Sequence, residues 1–338
     1  MRGSIERIDA AAALPDAWDA MARNIFQRRE FLVHCEKYNP CAQRYYLLVQ
    51  NGGIAAGAIV YTLGLDLLTF LKIKSPVRMH VAGVPCSVSS SGIVGEVQYH
   101  RDLLAGIVSI EKGFFLCLNI GLPPENSRLI AGRTWPTIEF VNNYSSWEAY
   151  CRSLRSSYRR RLRQTEDAAR KLTIRSMPCR GNFPAGLYPL YEAVHRRSSG
   201  KLEKLSCDFF ADLPKAFTLT TFASRSEVIG WTITVPDCNG CFYFFLGGQD
   251  YSHDPVNVYN VKLIGVLRAG IESGACRIDL GQSAEVPKMR FGGLVREKYM
   301  LAHFGNPIGR SLLRMGRGLL SYNRRFPATN CFVKDPPC

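Results

Sequence analysis

A mixed α/β (α+β) fold built twice in tandem is what this sequence predicts, and three observations carry the prediction. Hairpin-like stretches recur: YYLLVQNGGIAAGAIVYTLG (45–64) reads as strand, tight Asn-Gly-Gly turn, strand, and FTLTTFASRSEVIGWTITVPDCNGCFYFFLGG (217–248) repeats it with a third strand. Helix-to-strand stretches recur too. LLAGIVSIEKGFFLCLNIGLP (103–123) and IGVLRAGIESGACRIDLGQS (264–283) each run as an amphipathic helix into a buried strand, past Gly113 and Gly274. The members of the two pairs are offset by about 170 and about 160 residues, the mark of a duplicated unit. Finally, 338 residues with 46% hydrophobic content can fill two cores.

The connecting segment SSWEAYCRSLRSSYRRRLRQTEDAARKLTIR places Trp147, Tyr150, Leu154, Tyr158 and Leu162 at helical spacing, which predicts one helix leading into the strand LTIRSM. GGIAAGAIVYTLGLDLLTFLK is apolar, but Asp66 and several glycines interrupt it, and its Val, Ile, Tyr and Thr suit two strands rather than a membrane span. The N-terminal MRGSIERIDAAAALPDAW lacks the apolar core of a signal peptide. Twelve scattered cysteines form no disulfide framework and fit a reducing, cytoplasmic setting. The single CxxC, Cys238 to Cys241, encloses Asn-Gly and reads as a hairpin turn; a zinc site would need further ligands at matching spacing, so no metal is expected.

Forty-three Lys and Arg against 28 Asp and Glu give a net charge of +15, more than a neutral metabolite asks for. Nucleic acid, an anionic membrane or a phosphorylated metabolite would each satisfy it. From Arg152 to Arg180 there are ten basic residues and two acids. Such a face either neutralises phosphates, releasing counterions, or lies solvated with its arginine stems over apolar neighbours. The tail GRSLLRMGRGLL carries Arg310, Arg314 and Arg317 at i, i+4, i+7 opposite an apolar side. Packing of that side on the fold is the expectation, with peripheral contact to an anionic membrane as the alternative.

The basic helix LRSSYRRRLRQ, the strand-to-helix run FFLGGQDYSHDPVNVYNVKLIGVLRAGIESGACRIDLG and the segment PKMRFGGLVRE resemble, in order and spacing, tandem GNAT-fold transferases of the Fem-type aminoacyltransferase and peptidoglycan-biosynthesis-like acyltransferase group. The likeness covers roughly residues 145 to 300, with the first half following more loosely. It implies two GNAT-like domains with central mixed sheets flanked by helices: 1–145, degenerate, on the acceptor side; 146–310, catalytic, on the donor side; and 311–338, a basic C-terminal helix and tail. It also implies amide-bond formation. The donor would be aminoacyl-tRNA as in the Fem group, or acyl-CoA as in ordinary GNAT enzymes, in either case a co-substrate rather than a tightly bound cofactor. The acceptor would be an amine-bearing small molecule or peptide, and the chain a monomer. A third possibility is an RNA-binding protein that has kept the fold without the chemistry.

An acyl-CoA enzyme cradles pyrophosphate on a glycine-rich loop at a helix N-terminus. The matching stretch, SHDPVNVYN (252–260), contains no glycine, and Asp254 would repel phosphate. VPCSVSSSGIVGE, with Gly92 and Gly95, is the nearest loop of that kind in the first half.

Aminolysis of an ester or thioester needs a free amine, donors aimed at the developing oxyanion and help for the leaving group, but no covalent enzyme intermediate. Lys288 matches in place the lysine that the Fem pattern carries near the end of its second domain, which implies contact with the terminal ribose and reacting ester; the alternative is a surface lysine. Arg290 would point the same way if the segment is extended. Asp279, between Ile278 and Leu280, is either paired to an arginine or kept as a base. Glu285, in a loop beside Lys288, is a candidate proton acceptor, and Tyr259 and Asn260 are candidates for donor contact. Arg155, Arg159, Arg160 and Arg163 are candidates for tRNA or phosphate, with His195 and Arg196 on the acceptor side.

Overall fold

The computed structural model describes residues 3–66, 76–86, 88–123, 129–198, 203–252, 257–316, 318 and 321–333. The chain divides into two compact units, residues 1–135 with 297–324 and residues 136–296 with 325–338. Each is a mixed sheet flanked by helices.

The first unit contains β1 (Ser4–Ile8), β2 (Arg44–Gln50), β3 (Gly53–Asp66), β4 (Pro76–Ala82), β5 (Ile93–Gly95), β6 (Phe114–Ile120), β7 (Ile130–Arg133) and β15 (Tyr299–Phe304). They run in the order β1-β2-β3-β4-β6-β15-β7, with β5 beside β3. The predicted Asn-Gly-Gly turn closes the β2–β3 hairpin, with Asn51 and Gly52 at positive φ. The apolar stretch read as two strands is one strand, β3, as far as Asp66, its remainder lying outside the described residues. Helices α1 (Asp16–Met21), α2 (Arg29–Tyr38), α3 (His100–Ile110) and α10 (Pro307–Met315) complete the unit. Helix α3 sets Leu103, Leu104 and Ile107 on Tyr46, Val60 and Phe115 of the sheet to form its core. Gly92 and Gly95 serve strand packing here rather than a phosphate loop: a Cβ at Gly92 would lie 2.3 Å from Gly83 N, and one at Gly95 2.6 Å from Ala55 O.

The second unit contains β8 (Thr137–Val141), β9 (Thr173–Pro178), β10 (Thr218–Ser224), β11 (Glu227–Pro236), β12 (Cys241–Gln249), β13 (Arg277–Gln282) and β14 (Leu294–Arg296), in the order β14-β8-β13-β12-β11-β10-β9. Its helices are α4 (Trp147–Ser153), α5 (Ser156–Ala169), α6 (Tyr188–Arg197), α7 (Cys207–Ala211), α8 (Val258–Glu272) and α9 (Glu285–Met289). Helix α8 is apolar nearly all round, burying Val258, Val261, Leu263, Val266, Leu267 and Ile271. Each such side chain stabilises the fold by roughly 1.5–3 kcal/mol. The CxxC is the expected turn: Asp237 N donates to Cys241 O at 2.8 Å, and Gly240 has a φ of +75°.

The duplication is visible strand by strand, since β2, β3, β4, α3 and β6 follow the same plan as β10, β11, β12, α8 and β13. In each unit the helix returns the chain to a strand parallel to the one before it, β4 to β6 and β12 to β13. Two features differ from the sequence reading. β8 lies before the expected boundary at 145 yet pairs in the second sheet, while β15, inside the expected second domain, pairs in the first. The single helix expected from Trp147 onward is two, because Leu154 and Arg155 are extended, Leu154 bridging Phe332 and Arg155 N donating to Cys331 O at 2.9 Å. A backbone satisfied by the C-terminal segment does not continue the helix. Among the described residues, no helix is long and apolar enough to cross a membrane.

Candidate active site

β12 and β13 pair only over Cys241–Tyr243 and Arg277–Asp279. Beyond that β12 stays with β11 to Gln249 and β13 with β8 to Gln282, so a wedge opens in the sheet. Phe245 is an extra residue against β11, a bulge between the pairs Thr234/Phe244 and Ile233/Leu246 that adds twist where the strands part. Strands that separate leave carbonyls needing donors. Two buried lysines supply them.

Lys262, on the sheet side of α8, donates from Nζ to Gly248 O at 2.9 Å, and the Nζ lies 5.8 Å from the centroid of the Tyr259 ring. Burial pushes its pKa down to about 7. Lys288, on α9, donates to the carbonyls of Gly281, Gln282 and Ser283 at 3.0, 2.9 and 2.7 Å. Positive φ at Gly281, Ser283 and Ala284 curls the chain after β13 so that these carbonyls meet at one point. The left-handed conformation costs Ser283 and Ala284 on the order of 1–2 kcal/mol each. The lysine's bonds offset that strain. Three acceptors use all three hydrogens of an ammonium; burial pushes the Lys288 pKa down to about 7, while Asp279 and Glu285 draw it back up.

Asp279 is held by a hydroxyl and an amide: its Oδ1 accepts from Thr137 Oγ1 at 2.6 Å and from Gly281 N at 2.7 Å, tying it into the same turn. Glu285 stands not in a loop but at the start of α9, and is buried. The condition under which Arg290 would point the same way as Lys288 is not met: Lys288 and Met289 are helical and Arg290 is the C-cap. Lys288 therefore points inward while Arg290 is exposed.

A cavity of about 430 Å³ lies among α5, α8 and α9. Helix α5 contributes Arg161, Gln164, Thr165 and Ala168; the start of α8 contributes Asn257, Tyr259 and Asn260; the end of α9 contributes Pro287, Arg290 and Phe291. Asn257, at a φ of +48°, caps α8 by accepting from Asn260 N at 3.3 Å. Among the described residues its lining holds two guanidinium groups and no carboxylate, so it suits an anionic ligand; Asp254 lies outside them.

Of the residues singled out from the sequence, Tyr259, Asn260 and Arg290 meet at this cavity, and Lys288, Glu285 and Asp279 gather at the turn after β13. The arginines of α5 divide. Arg155 Nε donates to Phe332 O at 2.7 Å and Arg159 Nη2 to Arg152 O and Leu154 O at 3.1 and 2.7 Å, so both hold the break between α4 and α5. Arg160 and Arg163 are exposed and do not line the cavity. Arg161 does, sharing a stripe with Thr165 and Ala168. His195 and Arg196 lie in the last turn of α6, away from the cavity lining, with the His195 ring 5.9 Å from Tyr191. Their neighbour Arg197 covers the Tyr251 ring at 3.8 Å.

Arg161 and Lys262 were not singled out from the sequence. For Lys262 the signal exists: it falls at i+4 from Val258 and i−4 from Val266, a lone charge in a buried stripe.

Two mixed sheets flanked by helices, each with a helix returning the chain to a parallel strand, define the class as a fold, and solved structures share it. Among solved structures the chain resembles the C-terminal domain of a protein assigned as a lysylphosphatidylglycerol synthetase from Agrobacterium fabrum, with a TM-score of 0.54 and 11% identity over 89% of this chain and 93% of that one. It also resembles L-PGS from Bacillus licheniformis, with a TM-score of 0.50 and 13% identity over 86% and 96% of the two chains. FemX aligns at a TM-score of 0.49 and 10% identity over 92% and 99%. No protein-family model and no curated protein sequence matches the chain.

Proposed function

We propose that this protein transfers an aminoacyl group from aminoacyl-tRNA to an amine, binding the anionic donor at the cavity of the second unit. The observation that carries the reading is the pair Arg161 and Arg290 lining a cavity with the start of α8, where a glycine-rich pyrophosphate loop has no counterpart in the sequence. The names of the solved neighbours, an aminoacylated phospholipid's synthetase among them, agree with transfer of an amino acid.

In the reaction the amine nitrogen bonds to the ester carbonyl carbon, the bond to the ribose oxygen breaks, and a proton passes from the amine to that oxygen. Three carbonyls accept from Lys288 Nζ and favour its ammonium form against the burial that lowers its pKa to about 7, so while protonated it supplies positive charge at the end of β13, where an oxyanion would be stabilised. Lys262, with a pKa near 7 behind Tyr259, is suited to take and return the proton. Arg161 and Arg290 would hold phosphates of the acceptor stem, with exposed Arg160 and Arg163 extending that surface. No tightly bound cofactor enters this scheme.

Acyl-CoA as donor is the second reading, favoured by the fold itself, since the wedge lies beside a helix N-terminus in the way a pyrophosphate site would. The test is consumption of radiolabelled aminoacyl-tRNA, set beside acyl-CoA, with a panel of amines, alongside salt-dependent binding of tRNA and of CoA. Turnover of acyl-CoA with no loss of aminoacyl-tRNA would replace the first reading by the second. Binding of tRNA with no deacylated product would leave a protein without the chemistry.

A further inference from the structure

Helix α10 carries Ile308, Leu312 and Met315 at i, i+4, i+7, and these side chains are 76%, 59% and 75% exposed. The helix is nevertheless seated. A Cβ at Gly309 would lie 2.3 Å from Phe304 Cδ1, and Leu313 on the same side is half-buried, so a second face packs on β15 within the first unit. The expectation that the apolar side of the tail helix packs on the fold thus fails for its three largest residues on that stripe. Asn306 accepts from Gly309 N at 2.6 Å and Pro307 opens the first turn, so the helix is capped and formed without a partner. Arg310 and Arg314 are exposed on the other, polar side of the same helix, opposite the stripe.

We infer that α10 seats this protein on an anionic lipid surface, with Ile308, Leu312 and Met315 entering the acyl boundary and Arg310 and Arg314 at the level of the phosphates. A second copy of the chain fits poorly. Two-fold contact would bring together two molecules of net charge +15, and three side chains fall short of the roughly 800 Å² per partner that stable interfaces bury. Nucleic acid would use the arginines and leave the aliphatic stripe in water. A bilayer uses both, and the inference does not depend on the transferase reading.

The experiment is flotation of the full chain with vesicles of phosphatidylcholine alone and with an added fraction of phosphatidylglycerol. The chain is expected to float with the anionic vesicles and not the neutral ones. The triple variant Ile308→Ser, Leu312→Ser, Met315→Ser should lose about tenfold or more in affinity with its melting temperature unchanged, since the side chains removed are exposed. A Leu312→Trp variant should show a blue-shifted emission on anionic vesicles, which charge attraction through the α5 arginines would not produce. No flotation of the wild type, retention of binding by the triple variant, or an unshifted Leu312→Trp spectrum would overturn the inference. A dimer in vesicle-free solution that the triple variant loses would overturn it in favour of self-association.

Discussion

Lys262 donates to the Gly248 carbonyl at 2.9 Å, bridging α8 to the edge that β12 exposes once it has left β13. An unfolded lysine titrates near 10.5 and this one near 7. Between those values the unfolded chain holds one more proton than the folded one, so stability rises with pH across that window, and below about pH 7 the cost of charge burial is complete. Lys262→Met has no such proton. The stability of the wild type relative to Lys262→Met should therefore rise by about 1.4 kcal/mol per pH unit above pH ~7. Urea unfolding of both proteins at several pH values checks it, and parallel curves would show that Lys262 is not titrating there.

If Lys262 also carries the proton of the attacking amine, Lys262→Met should lower kcat by about 10²–10⁴ with little change in donor affinity. The wild-type rate should rise through pH ~7, as the amine form of Lys262 fills. A rate that is flat across neutral pH removes Lys262 from the chemistry.

Lys288→Met keeps the length of the side chain and removes three hydrogen bonds at once. Each carbonyl left without its donor costs up to about 1–3 kcal/mol, less where water reaches it as at exposed Ser283, and the strained Ser283 and Ala284 lose what holds them. A loss of several kcal/mol in unfolding free energy is expected, on the order of that seen when a buried charge network is broken. Turnover should fall as well. Unchanged turnover in a variant that still folds would mean that Lys288 is a strut for the turn and nothing more.

The arginines of α5 should separate by experiment as they do in space. Arg161→Ala and Arg290→Ala should each weaken donor binding by roughly tenfold and reduce the salt dependence of tRNA binding by about one phosphate contact, a slope change near 0.7–0.9. Arg160→Ala and Arg163→Ala, exposed and off the cavity, should show a smaller loss. Equal effects at all four positions would argue for a diffuse charged surface instead of a defined pocket.

Arg159→Ala should act on the fold. Its guanidinium holds the carbonyls of Arg152 and Leu154 at the end of α4, so its removal should cost about 1.5–3 kcal/mol, with donor affinity per folded molecule preserved. Thermal melting beside binding of tRNA distinguishes this from a phosphate contact.

Much of this was legible before any coordinates. Alternating apolar residues, Asn-Gly turns and the switch from period 3.6 to period 2 at Gly113 and Gly274 are local signals, and each unit's sheet and returning helix follow from them. The cavity was half legible. Tyr259, Asn260 and Arg290 stand out by position, whereas Arg161 looks like its four arginine neighbours until α5 is placed and one stripe of it is seen to face α8 and α9. The sequence leaves open whether 288–290 is extended, because a short helix of five residues leaves too few residues for its period to show.

By itself the sequence determined the duplicated α/β plan, the strand and helix succession, the hairpin at Cys238–Cys241 and the excess of positive charge, since all of these depend on residues near one another in the chain. Tertiary structure alone decided which arginines are spent on backbone carbonyls and which face the cavity. It also decided that β8 and β15 pair in the sheets opposite to their place in the chain, and that two lysines close the opened edge between β12 and β13. Those outcomes rest on partners more than a hundred residues apart, on carbonyls freed when strands diverge, or, for Arg159, on a helix break that the distant Cys331 and Phe332 hold, and no local pattern of residues encodes where such a partner will stand.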